Sequence, residues 1–464
     1  MHKLYQKPVT TASPDVKTAP PKISKSALSF INVIVGPYIL MLFGLAKFIL
    51  HGEKYLFDAF SESLSGKNRC IIAFRHPDGR EPQLLGWLFL FRLRQLAAKK
   101  GIRFAKKPHV VFVYGYEVVR WGGAAARMIM PKIGAIPVHH AKLDSKGMAG
   151  IYDSICNGIY PLALAPEGQV SYSTGTVPRL ESGVIRIGFK AANRLSGVNC
   201  HVKILPLSIH FRYGKRGKAA MEKLLGKTEK ICGFSGNDCG VFSFEERLNR
   251  CRNFILETNE KRYNIKTNNN LSFEERNKIA VNAALDKAER MLGINNGHTE
   301  EFSEEFPKEF PKERDFFSRL YKVRHICWDR IFLPDTDNFD NIPALKRSVM
   351  DLEAGEAWHI ARHQELADFG WYFCGPLPGK DSPLHEKAEY VQNLWDYANR
   401  TMGGAFSRRI NIPPDKVIIK AAPLIDLSER LSMYKENRKG AIEITKNDLE
   451  KAYLDCIKEV NKAY

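Results

Sequence analysis

Paired cysteines are missing from this sequence, and so is any excess of acidic residues. Nine cysteines are scattered through 464 residues without a Cys-x-x-Cys pair, which argues against a disulfide framework and for a reducing compartment. Cys232, Cys239 and Cys251 lie near one another, but their spacing matches no zinc-binding pattern, so we expect no metal site. No Gly-x-Ser-x-Gly motif occurs, which counts against a serine hydrolase of the α/β-hydrolase type.

Acidic residues are also absent from two long stretches that are rich in basic ones. The range 84–108 contains seven Lys or Arg residues, the range 182–221 contains eight, and the whole chain carries a formal net charge of +19. Such an excess favours anionic partners, either nucleic acid or an anionic membrane. Because no recognition-helix, zinc-finger or RNA-binding signature accompanies the charge, we expect no nucleic acid and favour an anionic lipid surface or substrate. A solvated basic face is the alternative.

The N-terminal part predicts a leader followed by a membrane-associating segment. Residues 1–25 are rich in Lys, Thr, Ser and Pro, a composition typical of disorder. No charged residue occurs from Ser26 to Ala46, and about twenty apolar residues suffice to cross a bilayer. Gly36-Pro37 in the middle predicts a break or a kink. Two short helices at one leaflet therefore stay open beside a single span and a buried core helix.

The middle of the chain alternates short apolar runs with segments of helical pattern. This alternation predicts an α/β layer architecture, with a mixed sheet flanked by helices. Beyond residue 214 the chain becomes helical and highly charged. The predicted strands are 70–74, 110–114, 159–164, 202–207 and a further one at 417–421; the predicted helices include 148–157, 183–195, 244–257 and 271–292.

Two short segments carry the candidate chemistry. The segment from Arg75 to Pro82 directly follows an apolar run and places His76 five positions before Glu81. A histidine at a strand end, beside a carboxylate at a helix start, suits general-base chemistry. The carboxylate can fix the imidazole tautomer and stabilise its protonated form. The second segment is Ala165-Pro166-Glu167-Gly168.

Together with two further blocks, these segments resemble the phospholipid/glycerol acyltransferase family, which includes the 1-acylglycerol-3-phosphate acyltransferases. The resemblance covers about residues 55–215, and the blocks stand in the family's order. His76 to Glu81 is similar to the His-x4-Asp block, residues 133–140 to the Gly-x-Ile-x-Val-x-Arg block, residues 166–168 with Ser171 to the Pro-Glu-Gly block, and residues 205–207 to the final strand.

The resemblance implies an O-acyltransferase of lipid metabolism that uses no metal or cofactor. His76 would take the proton from an acceptor hydroxyl, which attacks the thioester of acyl-CoA or acyl carrier protein, and Glu81 would orient the imidazole. Glu167 would accept hydrogen bonds from a lysophosphatidic-acid-like acceptor, and Gly168 would allow close backbone approach. The other predicted substrate-binding residues are Gly134, His140 and Arg179.

Three positions depart from the family pattern. Glu81 replaces the usual Asp, and Asp78 is an alternative partner, although Glu81-Pro82 keeps the family register. His140 and Val170 stand where the family has arginines that grip the acceptor phosphate. A different lysolipid or glycolipid acceptor, and a catalytically degenerate lipid-binding scaffold, therefore stay open. Four arginines are candidates for the missing grip: Arg75, Arg80, Arg179 and Arg186.

The resulting prediction is a membrane-associated protein on the cytoplasmic face of a bilayer. Its partners would be the lipid acceptor, the acyl-CoA or acyl carrier protein donor and the membrane surface. The predicted segments are a disordered basic leader (1–25), a membrane-associating apolar segment (26–50), an acyltransferase domain (51–295, with the motifs in 67–213), a linker (296–316) and a mostly helical C-terminal extension of unknown role (317–464).

Overall fold

A computed structural model describes most of the chain. The chain divides into two compact units. The sheet unit comprises Thr18–Arg216 and Pro413–Tyr464, and the helical unit comprises Met1–Lys17 and Gly217–Ile412. The described residues are 7–17, 19–139, 144–234, 241–294, 313–333, 339–373, 375–404 and 409–464, apart from the side chains of 121 and 313–315.

The bounds of the regular elements are as follows, in chain order. The strands are β1 (Ser13–Pro14), β2 (Lys47–His51), β3 (Arg69–Phe74), β4 (Val111–Gly115), β5 (Ile136–Val138), β6 (Leu162–Leu164), β7 (Val202–Arg212), β8 (Phe332–Leu333), β9 (Lys416–Ala421) and β10 (Ile425–Asp426). The helices are α1 (Lys25–Leu42), α2 (Glu53–Leu64), α3 (Glu81–Trp87), a π-helical turn (Leu88–Arg92), α4 (Leu93–Ala98), α5 (Glu117–Trp121), α6 (Gly123–Lys132), α7 (Ser145–Asn157), α8 (Gly183–Arg194), α9 (Lys215–Ile231), α10 (Phe244–Arg262), α11 (Phe273–Leu292), α12 (Glu313–Ile331), a 3-10 turn (Phe339–Asn341), α13 (Ala344–Tyr372), α14 (Leu384–Thr401), α15 (Leu431–Glu436) and α16 (Arg438–Ala463).

The sheet unit is built on a mixed sheet with the strand order β2-β9-β7-β3-β6-β4-β5. The strands from β7 through β3, β6 and β4 to β5 are parallel, whereas β9 and β10 pair with β7 in the antiparallel sense. The predicted mixed sheet with flanking helices is therefore confirmed. Each of the five predicted strands overlaps an observed strand. The predicted and observed bounds agree to within three residues, except that β7 continues to Arg212, five residues beyond its predicted end.

Each face of the sheet is covered by its own hydrophobic cluster. Along β3, Cys70, Ile72 and Phe74 point into a cluster shared with α1, α2 and α3. Ile71 and Ala73 point into a second cluster shared with α7, α8 and α16. Successive strand side chains alternate between faces, and a strand buried on both sides reads as a continuous apolar run. The uninterrupted apolar run that predicted β3 therefore reflects burial between two helical layers.

The C-terminal part of the chain is an integral part of the sheet unit. β9 lies between β2 and β7, and its register pairs Ile419 with Ile209 on β7 and with Leu50 on β2. Helix α16 then packs against β7 and α8. The predicted boundaries treat 317–464 as one extension, and the structure divides this range at Ile412. Composition cannot reveal pairing between strands that lie hundreds of residues apart.

The apolar N-terminal segment forms one continuous helix, α1, with Pro37 inside it. A break into two short helices is therefore wrong, whereas a kink at Gly36-Pro37 stays a prediction. Proline removes one backbone donor and leaves the carbonyl of Val33 without its helical partner. The residue Val33 is itself 74% exposed. By length and composition α1 could cross a membrane, whereas residues 47–50 of the predicted segment belong to β2.

Parts of the predicted disordered leader have defined partners. In the helical unit, β1 pairs with β8, and Ala12 N–H donates to Asp351 at 2.7 Å. In the sheet unit, Lys22 N–H donates to the Pro131 carbonyl at 2.8 Å. These contacts use backbone groups, which every residue carries, so a polar composition gives no sign of them. The predicted linker lies outside the described residues over 296–312, and its last residues enter α12.

The position of β9 leads to a testable prediction about truncation. A chain that ends at Ile412 lacks β9, β10 and α16, so β2 and β7 lose their shared neighbour and one face of the sheet loses its cover. We expect this chain to be insoluble or to unfold without cooperativity, as followed by circular dichroism on heating. A truncated chain that melts like the full-length protein would contradict the integral role of this segment.

Candidate active site

The candidate site lies at the carboxyl edge of the parallel part of the sheet. β3 ends at Phe74, directly before Arg75 and His76, and the neighbouring β6 ends shortly before Glu167. Because these strands are parallel, their carboxyl ends meet at one edge. In open α/β sheets, ligands bind in the crevice outside this edge.

A buried ion pair joins the ends of these two strands. Arg75 Nε donates to Glu167 Oε1 at 2.9 Å, and the two side chains are 0% and 1% exposed. The other carboxylate oxygen, Glu167 Oε2, accepts the backbone N–H of His76 at 3.0 Å. Both oxygens of Glu167 are thus bound by protein groups, and the carboxylate holds the backbone at the candidate base.

The same arginine organises the loop that follows Glu167. Its terminal nitrogens donate to the carbonyls of Ser173, Thr174 and Thr176 at 2.9, 3.1 and 2.6 Å. The N–H of Ser171 donates to the carbonyl of His76 at 2.9 Å. The loop is therefore hydrogen-bonded to Arg75 and to His76, the two residues that follow β3.

His76 and Glu81 form a hydrogen-bonded pair. His76 Nδ1 lies 2.8 Å from Glu81 Oε2, which also accepts the N–H of Gly79 at 2.8 Å. Glu81 is the first residue of α3 and is fully buried, whereas the His76 side chain is 18% exposed. A carboxylate only accepts, so neutral His76 donates through Nδ1 and keeps its lone pair on Nε2. Gly79 has φ +97°, a conformation that favours glycine in this tight turn.

The surroundings of His76 favour its protonated form. Burial lowers the pKa of the imidazole, but the hydrogen bond to Glu81 and the negative charges of Glu81, Glu167 and Asp78 outweigh burial. The net pKa of His76 is raised above the ordinary histidine value. The pair can therefore take up a proton and stabilise the resulting charge, which is what a general base must do.

Asp78, the alternative partner of His76, is bound elsewhere. Its carboxylate pairs with the guanidinium of Arg80, which also donates to the carbonyl of Leu42 at 3.0 Å. The Arg80 guanidinium lies over the ring of Phe43, 4.7 Å from its centroid. Of the two candidate carboxylates, Glu81 is the one that contacts the imidazole.

The other predicted substrate-binding residues have different surroundings in the structure. Gly168 directly follows the ion pair, with φ +74°. Gly134 packs on Ile23, where an added Cβ would lie 2.8 Å from that side chain. Arg179 pairs with Glu181 at 3.4 Å. His140 lies outside the described residues.

Glu167 is buried and already has internal partners. The resemblance makes it a ligand of the acceptor's hydroxyls, and in the structure each of its carboxylate oxygens accepts one hydrogen bond, from Arg75 and from the His76 backbone. Of the four arginines proposed for the phosphate grip, Arg75 and Arg80 are both buried and committed to these internal contacts. Exposed Arg186 donates to Ser182 at 2.9 Å.

One residue behind the site was missed by sequence reasoning. Tyr453 of α16 is fully buried, and its hydroxyl donates to the Ala73 carbonyl at 2.8 Å, two residues before Arg75. Burial raises the pKa of this tyrosine well above its ordinary value, so it stays a neutral donor. Its partner lies 380 positions away in the chain, and no local motif signals such a contact.

No protein-family model matches this chain, and no curated protein or solved structure is significantly similar to it. The argument for its function therefore depends on the motifs and on the geometry of the His76 site.

The buried ion pair predicts that Glu167 matters for stability. Glu167→Gln leaves the charge of Arg75 buried without compensation, which we expect to cost about 3–5 kcal/mol in the free energy of unfolding. Glu181→Gln, in the partly exposed pair with Arg179, is the matched control and should cost less than about 1 kcal/mol. Chemical denaturation of the two variants tests this. Equal stability of the two variants would contradict the stabilising role of the Arg75–Glu167 pair.

Proposed function

We propose that this protein is a membrane-associated O-acyltransferase that transfers a fatty acyl chain from acyl-CoA or acyl carrier protein to a glycerolipid hydroxyl. The observation that carries the proposal is the pair His76–Glu81, joined at 2.8 Å at the carboxyl edge of the sheet. Its order in the chain and its placement after a buried strand are those expected of the glycerolipid acyltransferase fold.

In the proposed reaction, His76 Nε2 accepts the proton of the acceptor hydroxyl while the hydroxyl oxygen attacks the thioester carbonyl. Glu81 stabilises the imidazolium that forms. The tetrahedral intermediate then collapses, the carbon–sulfur bond breaks, and the imidazolium returns its proton to the leaving thiolate. The products are the new ester and the free thiol, with no covalent acyl-enzyme.

Helix α1 supports the proposed membrane association. It carries no acidic residue, and the candidate span is only 11% buried. Phe30, Val33 and Met41 are 69–74% exposed. Large apolar side chains exposed together on one helix are unusual in a soluble protein. They are typical of a surface that contacts lipid or another apolar partner. We propose that α1 attaches the sheet unit to the cytoplasmic face of a bilayer and that the acceptor reaches His76 from there.

The acceptor is proposed as a lysophosphatidic-acid-like glycerolipid, with a different lysolipid or a glycolipid as the second candidate. The internal contacts of Arg75 and Arg80 favour the second candidate, because neither guanidinium is available to grip a phosphate. The fully buried carboxylate of Glu81, hydrogen-bonded to His76 at the carboxyl edge of the sheet, favours an active enzyme over a lipid-binding scaffold without activity.

The catalytic proposal is tested by product formation. Purified protein, acyl-CoA and a panel of lysolipids and glycolipids are incubated, and products are identified by mass spectrometry. We expect His76→Ala to lower turnover about 10²- to 10⁴-fold. His201→Ala is the matched control, because His201 Nδ1 also lies 2.8 Å from a carboxylate, Asp426, but at the amino edge of the sheet. Equal activity of the two variants would contradict the proposal.

The raised pKa of His76 predicts the pH dependence. The general base must be neutral, so kcat/KM should rise as the pH increases through a value above the ordinary histidine pKa. Glu81→Gln removes the charge that raises this pKa, so the acidic limb should move to lower pH while the maximal rate falls. The pH–rate profile of thiol release measures both changes. A limb that stays in place in Glu81→Gln would mean that Glu81 does not set the pKa.

A further inference from the structure

We propose that a groove beside α1 binds the phosphate headgroup of an anionic membrane phospholipid. This site is separate from His76 and would hold a lipid of the bilayer rather than the reacting substrate. The inference rests on the proposed attachment of α1 to a membrane but does not require acyl transfer.

The groove is a cavity of about 400 Å³ in the sheet unit. It is lined by Asn32 of α1, by residues of the π-helical turn and α4, and by residues of the loop before β4. The remaining lining residues are Leu90, Phe91, Arg94, Gln95, Ala98, Lys107 and Pro108.

Two uncompensated cations line this groove. Arg94 and Lys107 are both exposed, and in the described part of the chain neither makes a hydrogen bond or an ion pair. No Asp or Glu occurs in α1 or in the range 84–108. The acids that flank this range in the sequence are Glu81, which is buried and bound to His76, and Glu117, nine positions after its end. The elements that form the groove therefore hold positive charge and offer amide groups, from Asn32 and Gln95, as additional hydrogen-bond partners.

The apolar surroundings favour a lipid over a soluble anion. Leu90 and Phe91 line the cavity beside the cations, and the neighbouring Val33 and Ile34 on α1 are 74% and 49% exposed. A helix that inserts its apolar face into the interface lies at the depth of the headgroups. At that depth Arg94 and Lys107 meet the phosphates of anionic lipids, and each basic residue there strengthens binding.

The test measures binding to vesicles of phosphatidylcholine alone and to vesicles in which part of it is replaced by phosphatidylglycerol. For the Arg94→Gln/Lys107→Gln double variant we expect binding to the anionic vesicles to weaken about tenfold or more, with binding to phosphatidylcholine unchanged. Lys451→Gln/Lys458→Gln removes the same charge from exposed positions of α16, the helix that covers the opposite face of the sheet. This control should retain nearly all of the binding.

Several results would overturn the proposal. Equal losses in the two double variants would indicate a diffuse effect of net charge, and equal binding of all proteins would remove the site. Failure of the wild-type protein to bind either vesicle would refute membrane attachment and the headgroup site together. Calorimetric binding of glycerol phosphate without vesicles would assign the groove to a soluble phosphate instead. Because none of these measurements involves turnover, failure to detect acyl transfer would not refute the headgroup site.

Discussion

The buried ion pair between Arg75 and Glu167 joins two neighbouring strands at the edge where the candidate chemistry lies. Removing two charges from water is costly and is repaid only when their remaining hydrogen-bonding groups are satisfied. Here Arg75 makes four hydrogen bonds and both oxygens of Glu167 are bound. These contacts hold both the backbone of His76 and the loop that follows Glu167. The orientation of the imidazole depends on this backbone.

The histidines of this chain show how much the carboxylate partner matters. Burial lowers the pKa of His109 to about 4 and that of His363 to about 4. His109 bonds the Ile133 carbonyl, and His363 bonds the hydroxyl of Tyr263. His76 is partly buried, yet its pKa is raised because Glu81 contacts it. The carboxylate partner therefore decides whether the pKa of a partly buried imidazole in this protein is lowered or raised.

The sequence predicted those parts of the structure that local patterns determine. An apolar run before Arg75 and a turn before Glu81 are local features, so β3, the loop and the start of α3 followed from them. The insertion of β9 and the contact of Tyr453 did not, because both depend on residues distant in the chain. The Pro-Glu-Gly block singled out Glu167 as a candidate, but only the structure shows that its carboxylate faces Arg75.

The tautomer and pKa of His76 test the central claim most directly. In protein labelled with ¹⁵N, the His76 ring resonances are assigned by their loss in His76→Gln and followed through a pH titration. The account predicts a pKa above the ordinary histidine value and, in the neutral form, a proton on Nδ1 with a bare Nε2. A neutral ring protonated on Nε2, with a pKa at or below the ordinary value, would contradict it.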